Sequence, residues 1–173
     1  MRSLHVAAAQ VHSGGTIRQT LQRIARQAAC AAAAGAEVVL FSEQLLGGCD
    51  YTPTRRTLAR RALHPEGEVC GEVVATARRL GLAILVGFTE RDGRELFNSV
   101  LVARPDGPAG VQRKHNVTEI ERAAGIRPGP VERTVFVFGG VRTAVLICAD
   151  TGIEGMAERL AAQGVEYRFI PTG

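Results

Sequence analysis

Two short apolar runs with a capped helix between them constrain the start of this chain more than any other feature. Leu4 to Ala9 is continuous and apolar, as a buried strand would be. Gln10 to Gly15 is a loop, and Thr16 is placed to cap a helix whose Ile17, Leu21, Ile24, Ala28 and Ala31 recur on one face. Gly35 ends that helix, and Glu37 to Phe41 (EVVLF) reads as a second strand. Strand, helix and strand in this order make a β-α-β unit with parallel strands and a right-handed crossover. The HSGG loop before the helix carries neither G-x-G-x-x-G nor G-K-S/T, so it is turn chemistry and not a phosphate cradle.

The rest of the chain departs from simple alternation. Helical patterns near Arg55 to Leu63 and Gly67 to Leu80 lead to a third strand, Leu82 to Phe88. Arg91-Asp92-Gly93-Arg94 is a hairpin turn, with Leu96 to Ala103 as the partner strand. Pro105-Asp106-Gly107 turns the chain into Val111 to Lys114, and His115 to Pro130 is polar and reads as irregular. Thr134 to Phe138 and Val141 to Ile147 form a hairpin around Gly139-Gly140. A helical stripe of Ile153, Met156, Leu160 and Ala161 follows, then a last strand, Val165 to Ile170. This order predicts one α/β domain over residues 1–173. Its sheet mixes parallel and antiparallel neighbours, carries helices on one face and needs a further layer on the other.

Composition excludes several functions. The N-terminus has no long apolar segment and no stretch approaches transmembrane length, which argues against a membrane partner. Cys30, Cys49, Cys70 and Cys148 are far apart with no C-x-x-C pair, and the four His are isolated. No metal, cofactor or disulfide framework is expected, and the reducing cytoplasm is the expected compartment. The pairs Arg55-Arg56, Arg60-Arg61 and Arg78-Arg79 sit on helical patterns without interleaved aromatics, as solvated faces do, so no nucleic-acid partner is expected. Of 21 basic residues only Lys114 is a lysine. Arg spreads its charge over a planar fork, whereas Lys is a compact ammonium able to approach a developing oxyanion.

Val141 to Asp150 (VRTAVLICAD) concentrates the chemistry. Its apolar run ends abruptly in Cys148, and Ala149-Asp150-Thr151-Gly152 offer a turn and a helix cap. Strand, sharp turn and helix is the geometry that lifts a nucleophile out of a sheet, and a helix N-terminus aimed at the sulfur would favour thiolate. A buried structural Cys is the competing reading. Ser42-Glu43 closes the second strand, where a carboxylate points toward the ligand cleft of a parallel sheet, unless it merely begins a loop.

Glu43, Lys114 and Cys148, each at or just after a strand end, resemble in order and flanks the nitrilase superfamily of carbon–nitrogen hydrolases. AAQ, the capped helix and GAEVVLFSE resemble its opening and glutamate motif. LFNSVLVARPDG with VQRKH resembles its Asn-Ser strand and lysine motif, and VRTAVLICAD its cysteine motif, followed by QGVEYRFIPTG. The resemblance implies an α-β-β-α sandwich, a Cys148 nucleophile, a Glu43 base and Lys114 lowering the thiol pKa and holding the oxyanion. It implies also a second glutamate after the lysine, Glu121 or Glu119, with Glu121 favoured. The implied substrates are small amides, N-carbamoyl compounds or nitriles, turned over through a thioester, and complete members form homo-oligomers.

Departures accompany it: Ser42 stands where the family has Pro, and the loop from Glu43 to Tyr51 is slightly long. Gly152-Ile153-Glu154-Gly155 replaces a Phe-Pro-Glu-like run. Family members continue well past the point equivalent to Gly173, so the sequence reads as an incomplete member lacking its C-terminal portion. A non-catalytic or partner-dependent remnant is therefore the alternative to a working hydrolase, and an unrelated α/β binding domain is a third reading.

Overall fold

The computed structural model describes residues 3–48 and 52–173. The opening unit is β1 (Val6–Ala9), α1 (Ile17–Ala33) and β2 (Val38–Phe41), with β1 and β2 parallel in register Val6 to Val38. Thr16 caps α1 through a reciprocal capping box with Gln19. Then come α2 (Arg55–Arg61), α3 (Glu68–Leu80) and β3 (Ala83–Asp92), which pairs parallel with β2. β3 turns through Gly93-Arg94 into β4 (Glu95–Ala103), and β5 (Gly110–Arg113) pairs antiparallel with β4. The hairpin is longer than the apolar pattern predicts, because β3 runs on through Glu90 to Asp92.

The strands form two mixed sheets, as the α-β-β-α sandwich requires. β1 to β5 make one sheet in sequence order, while β6 (Phe136–Phe138), β7 (Val141–Val145) and β8 (Tyr167–Phe169) make a second. The further layer required by the first sheet is thus another sheet. α1 and α3 cover one face of the first sheet, with Ile24, Ala28, Val73 and Ala77 packed on Val39, Ile84 and Val86. Its other face, through Val38, Leu85 and Val100, meets Phe136, Phe138, Val145 and Phe169. The outer face of the second sheet is closed by α5 (Met156–Ala162), whose Met156 and Leu160 pack on Ala144 and Leu146. The layers are α-β-β-α, and β3 is buried from Ala83 through Glu90 because both of its faces are covered.

Two other sequence expectations are corrected. The polar stretch after Lys114 is not wholly irregular: Thr118 caps a short helix, α4 (Glu119–Ala123), through a capping box with Glu121. α5 begins only at Met156, so Ala161 turns to solvent and the stripe narrows to Ile153, Met156 and Leu160. Cys49, Asp50 and Tyr51 lie outside the described residues, and with them the length of the Glu43 loop. Among the described residues no helix is long and apolar enough to cross a membrane.

Candidate active site

Three chain segments converge where strands of both sheets end. Glu43 follows β2, and its backbone passes so close to β3 that a Cβ on Gly87 would lie 2.6 Å from Glu43 Cα. Only glycine admits that approach, and the Gly87 N–H donates to Ser42 O (3.2 Å) while its carbonyl accepts from Leu46 (3.0 Å). Lys114 extends β5, donating its N–H to Asn98 O at 2.8 Å and accepting from Gly129 at 2.7 Å. Cys148 continues β7, donating its N–H to Pro171 O at 3.0 Å, and the neighbouring Thr172 carbonyl accepts from Glu43 N at 3.2 Å.

Cys148 sits at φ 46°, in the left-handed region, and opens a 3-10 turn, Cys148–Gly152. A side chain with a Cβ holds such a conformation at a cost of about 1–3 kcal/mol, so the surroundings must impose it. The turn is tied by Ile147 N–H to Asp150 Oδ2 (3.1 Å) and Thr151 Oγ1 to Cys148 O (3.0 Å).

The polar side chains form one buried cluster. Lys114 Nζ donates to Glu43 Oε1 at 2.7 Å and to Glu121 Oε2 at 2.9 Å. Asn98 Nδ2 bridges the same carboxylates, 2.7 Å from Glu43 Oε1 and 2.6 Å from Glu121 Oε1. Thr118 adds its N–H and hydroxyl to Glu121 Oε2, each at 2.9 Å. Lys114 is 2% exposed and Asn98 0%. Glu43, Lys114 and the Ala149 N–H lie close enough to the Cys148 thiol to shift its pKa. Glu121 therefore stands in the cluster, whereas Glu119 lies exposed on the first turn of α4.

The electrostatics differ from the sequence expectation at the sulfur. Burial pushes the Cys148 thiol above its usual value, and the charge and hydrogen bond of Glu43 push the same way, outweighing the opposing Lys114 charge and Ala149 N–H. The anticipated α-helix N-terminus is not there to help, because a 3-10 turn intervenes before α5. Cys148 thus rests as a thiol. Burial pulls Lys114 down, but hydrogen bonds and charge from Glu43, then Glu121, more than reverse this and raise it. Burial raises Glu121, but hydrogen bonds from Asn98, Lys114 and Thr118 lower it overall. The shifts thus favour the charged forms of Lys114 and Glu121 and the neutral form of Cys148. Transfer of the thiol proton to Glu43 relocates charge without changing the total.

Sequence reading missed the bridging role of Asn98, whose one signal is a polar Asn-Ser pair inside an otherwise apolar strand. It also missed Gly87 and the T-x-x-E capping box at Thr118. Among the described residues no group of three His, Cys, Asp or Glu is arranged to hold a metal. Glu43 also lines an open cleft of about 500 Å³ bounded by Leu40, Phe41, Pro171 and Thr172.

Comparison with known proteins identifies the family and the fold. The sequence model of the carbon–nitrogen hydrolase family matches residues 5–172. A nitrilase from Pyrococcus abyssi is 30% identical over 138 residues, 80% of this chain and 52% of that protein. An N-carbamoylputrescine amidase from Arabidopsis thaliana is 27% identical over 159 residues, 87% of this chain and 51% of that protein. In three dimensions the chain is similar to an amidase from Nesterenkonia sp. AN1, in a variant with the acetamide moiety of fluoroacetamide added covalently at its active-site cysteine. The TM-score is 0.79 at 20% identity, covering 99% of this chain and 65% of that one. The chain spans about half the length of these curated relatives.

Proposed function

Because this chain belongs to the carbon–nitrogen hydrolase family, we propose that it hydrolyses a non-peptide C–N bond of a small amide or N-carbamoyl compound, with Cys148 as nucleophile. The observation that carries the reading is a lysine clamped between two carboxylates near a cysteine held at positive φ. The covalent adduct on the cysteine of the Nesterenkonia amidase supports the same role for Cys148.

Glu43 removes the thiol proton as sulfur attacks the carbonyl carbon, and the carbonyl π electrons move onto oxygen. An ammonium has three N–H donors, and Glu43 and Glu121 take two of those on Lys114. The third, with the Ala149 N–H, meets the oxyanion. Collapse breaks the C–N bond, and the amine leaves with the proton from Glu43. Water, deprotonated by Glu43, then attacks the thioester; the acid is released and the thiol regains its proton. Glu121 keeps Lys114 charged and aimed throughout, and Asn98 keeps the two carboxylates apart.

The test is release of ammonia or amine from a panel of small amides, N-carbamoyl compounds and nitriles, with mass detection of an acyl group on Cys148. Turnover of an amide or N-carbamoyl compound by the parent, lost in Cys148→Ala, is expected. Turnover that persists in Cys148→Ala would overturn the mechanism, and no turnover of either class would leave a hydrolase fold without the activity.

A further inference from the structure

Asp150 is 0% exposed although it lies just two residues beyond the nucleophile. Its Oδ1 accepts the N–H groups of His115 (2.9 Å) and Asn116 (2.8 Å), and its Oδ2 accepts that of Ile147 (3.1 Å). Arg133 Nη1 stands 3.5 Å from Oδ2, with both side chains sealed from solvent. The partners are telling: His115 and Asn116 directly follow Lys114, and Ile147 directly precedes Cys148. Asn116 adds a second tie through Nδ2 to Ala149 O at 2.7 Å.

Such a fastening answers a mechanical problem of the fold. Lys114 hangs from the first sheet and Cys148 from the second, and among the described residues no strand of one sheet pairs with a strand of the other. The apolar packing between them is non-directional, whereas displacement of a reacting group by about 1 Å can cost roughly a hundredfold in rate. A carboxylate with fixed acceptor directions supplies what packing cannot, and the guanidinium of Arg133 offsets its charge.

We propose that Asp150 is the positioning residue of this site, a buried carboxylate that fastens the lysine-bearing segment to the cysteine-bearing turn and so sets the Lys114–Cys148 geometry. The proposal rests on the roles given above to Lys114 and Cys148. Asp150→Asn preserves shape but turns an acceptor into a donor, so at least one backbone N–H loses its partner however the amide turns.

The experiment is a double-mutant cycle on the rate at which iodoacetamide alkylates Cys148 at pH 8, read by peptide mapping against the exposed Cys30. Lys114→Gln removes the charge that favours thiolate, and is expected to slow Cys148 labelling about tenfold in the parent but only about twofold beside Asp150→Asn. A purely structural Asp150 would leave the lysine effect undiminished, and that result overturns the proposal alone. No lysine effect in the parent overturns both the proposal and the role of Lys114. Thermal unfolding establishes that each variant is folded. Should Asp150→Asn not fold, Asn116→Pro at that exposed position, which removes a backbone N–H held by Asp150, takes its place, with the lysine effect expected to fall to about a third. An undiminished effect there also overturns the proposal.

Discussion

The first sheet carries two charge clusters, one buried and one reaching the surface, built by adjacent residues of the same two chain segments on opposite faces. Toward the second sheet, Asn98 and Lys114 hold Glu43 and Glu121. Toward the helices, Ser99 and Arg113 hold Glu90: Ser99 Oγ lies 2.6 Å from Glu90 Oε2, and Arg113 Nη2 2.5 Å from Glu90 Oε1. Each pairs one cation with two carboxylates, since Arg113 Nη2 also reaches Asp92 at 2.8 Å. The difference is saturation. Arg113 spreads three contacts over Glu90 through Nε and Nη2, and its guanidinium stacks 3.8 Å over the Phe97 ring. Nothing of that fork is aimed at a vacant reaction centre. Lys114 Nζ donates once to each of two carboxylates. One cluster ties neighbouring strands of the sheet together; the other, on the proposed function, holds a charge ready.

Exchanging the cations breaks the comparison most sharply. Lys114→Arg retains the charge but presents a fork where a point donor fits, and kcat for C–N hydrolysis is expected to fall about a thousandfold or more. Arg113→Lys, by contrast, is expected to leave kcat within about twofold and to cost about 1 kcal/mol in urea unfolding, through the lost fork and ring stacking. Equal losses of kcat in the two variants would erase the distinction.

The strand pair behind the cations gives the next largest effect. Asn98→Leu strips a shared donor from two buried carboxylates, with an expected destabilisation of about 3 kcal/mol by chemical denaturation. Ser99→Ala removes one hydroxyl donor from Glu90, which Arg113 still holds, and about 1 kcal/mol is expected.

Acid sharpens the contrast further. Glu121 is lowered in the folded chain, so its contribution is fully present above its unfolded value of about 4.5 and is lost as pH falls through the lowered folded value. Glu121→Gln is therefore expected to flatten the decline of unfolding free energy below that pH. A parallel decline in parent and variant would show that Glu121 is not held by its neighbours. Lys114 has the opposite sign: raised when folded, it stabilises fully below about 10.5 and loses that contribution as pH climbs through its folded value. The smallest effect belongs to Asp92→Asn, since that side chain is 62% exposed and its tie to Arg113 is screened by water; under about 0.5 kcal/mol is expected from the unfolding curve.

The site was legible where each residue announces itself locally. Glu43, Lys114 and Cys148 end apolar runs, and a polar group at the end of a buried strand has few reasons to be there. Thr118 and Glu121 stood in a readable capping box, yet the helix they begin was missed because its five residues carry too little periodicity. Asn98 and Asp150 stood in readable local motifs, but their partners did not show. Asn98 meets Glu43 across 55 positions of chain, and Asp150 meets His115 across 35, so neither contact leaves a pattern in neighbouring residues.

Periodicity, caps and turns act over a few residues, and these by themselves determined the β-α-β opening, the presence of the β3-β4 hairpin and the order of strands along the chain. The motifs implied a two-sheet sandwich, and only the tertiary structure decided which strands fall in which sheet, because that depends on which apolar faces meet. It alone decided also that the thiol rests protonated, because burial and the approach of Glu43 are properties of the packed site and not of the residues flanking Cys148. The same packing selects Glu121 over Glu119, by turning one inward to Lys114 and the other to water.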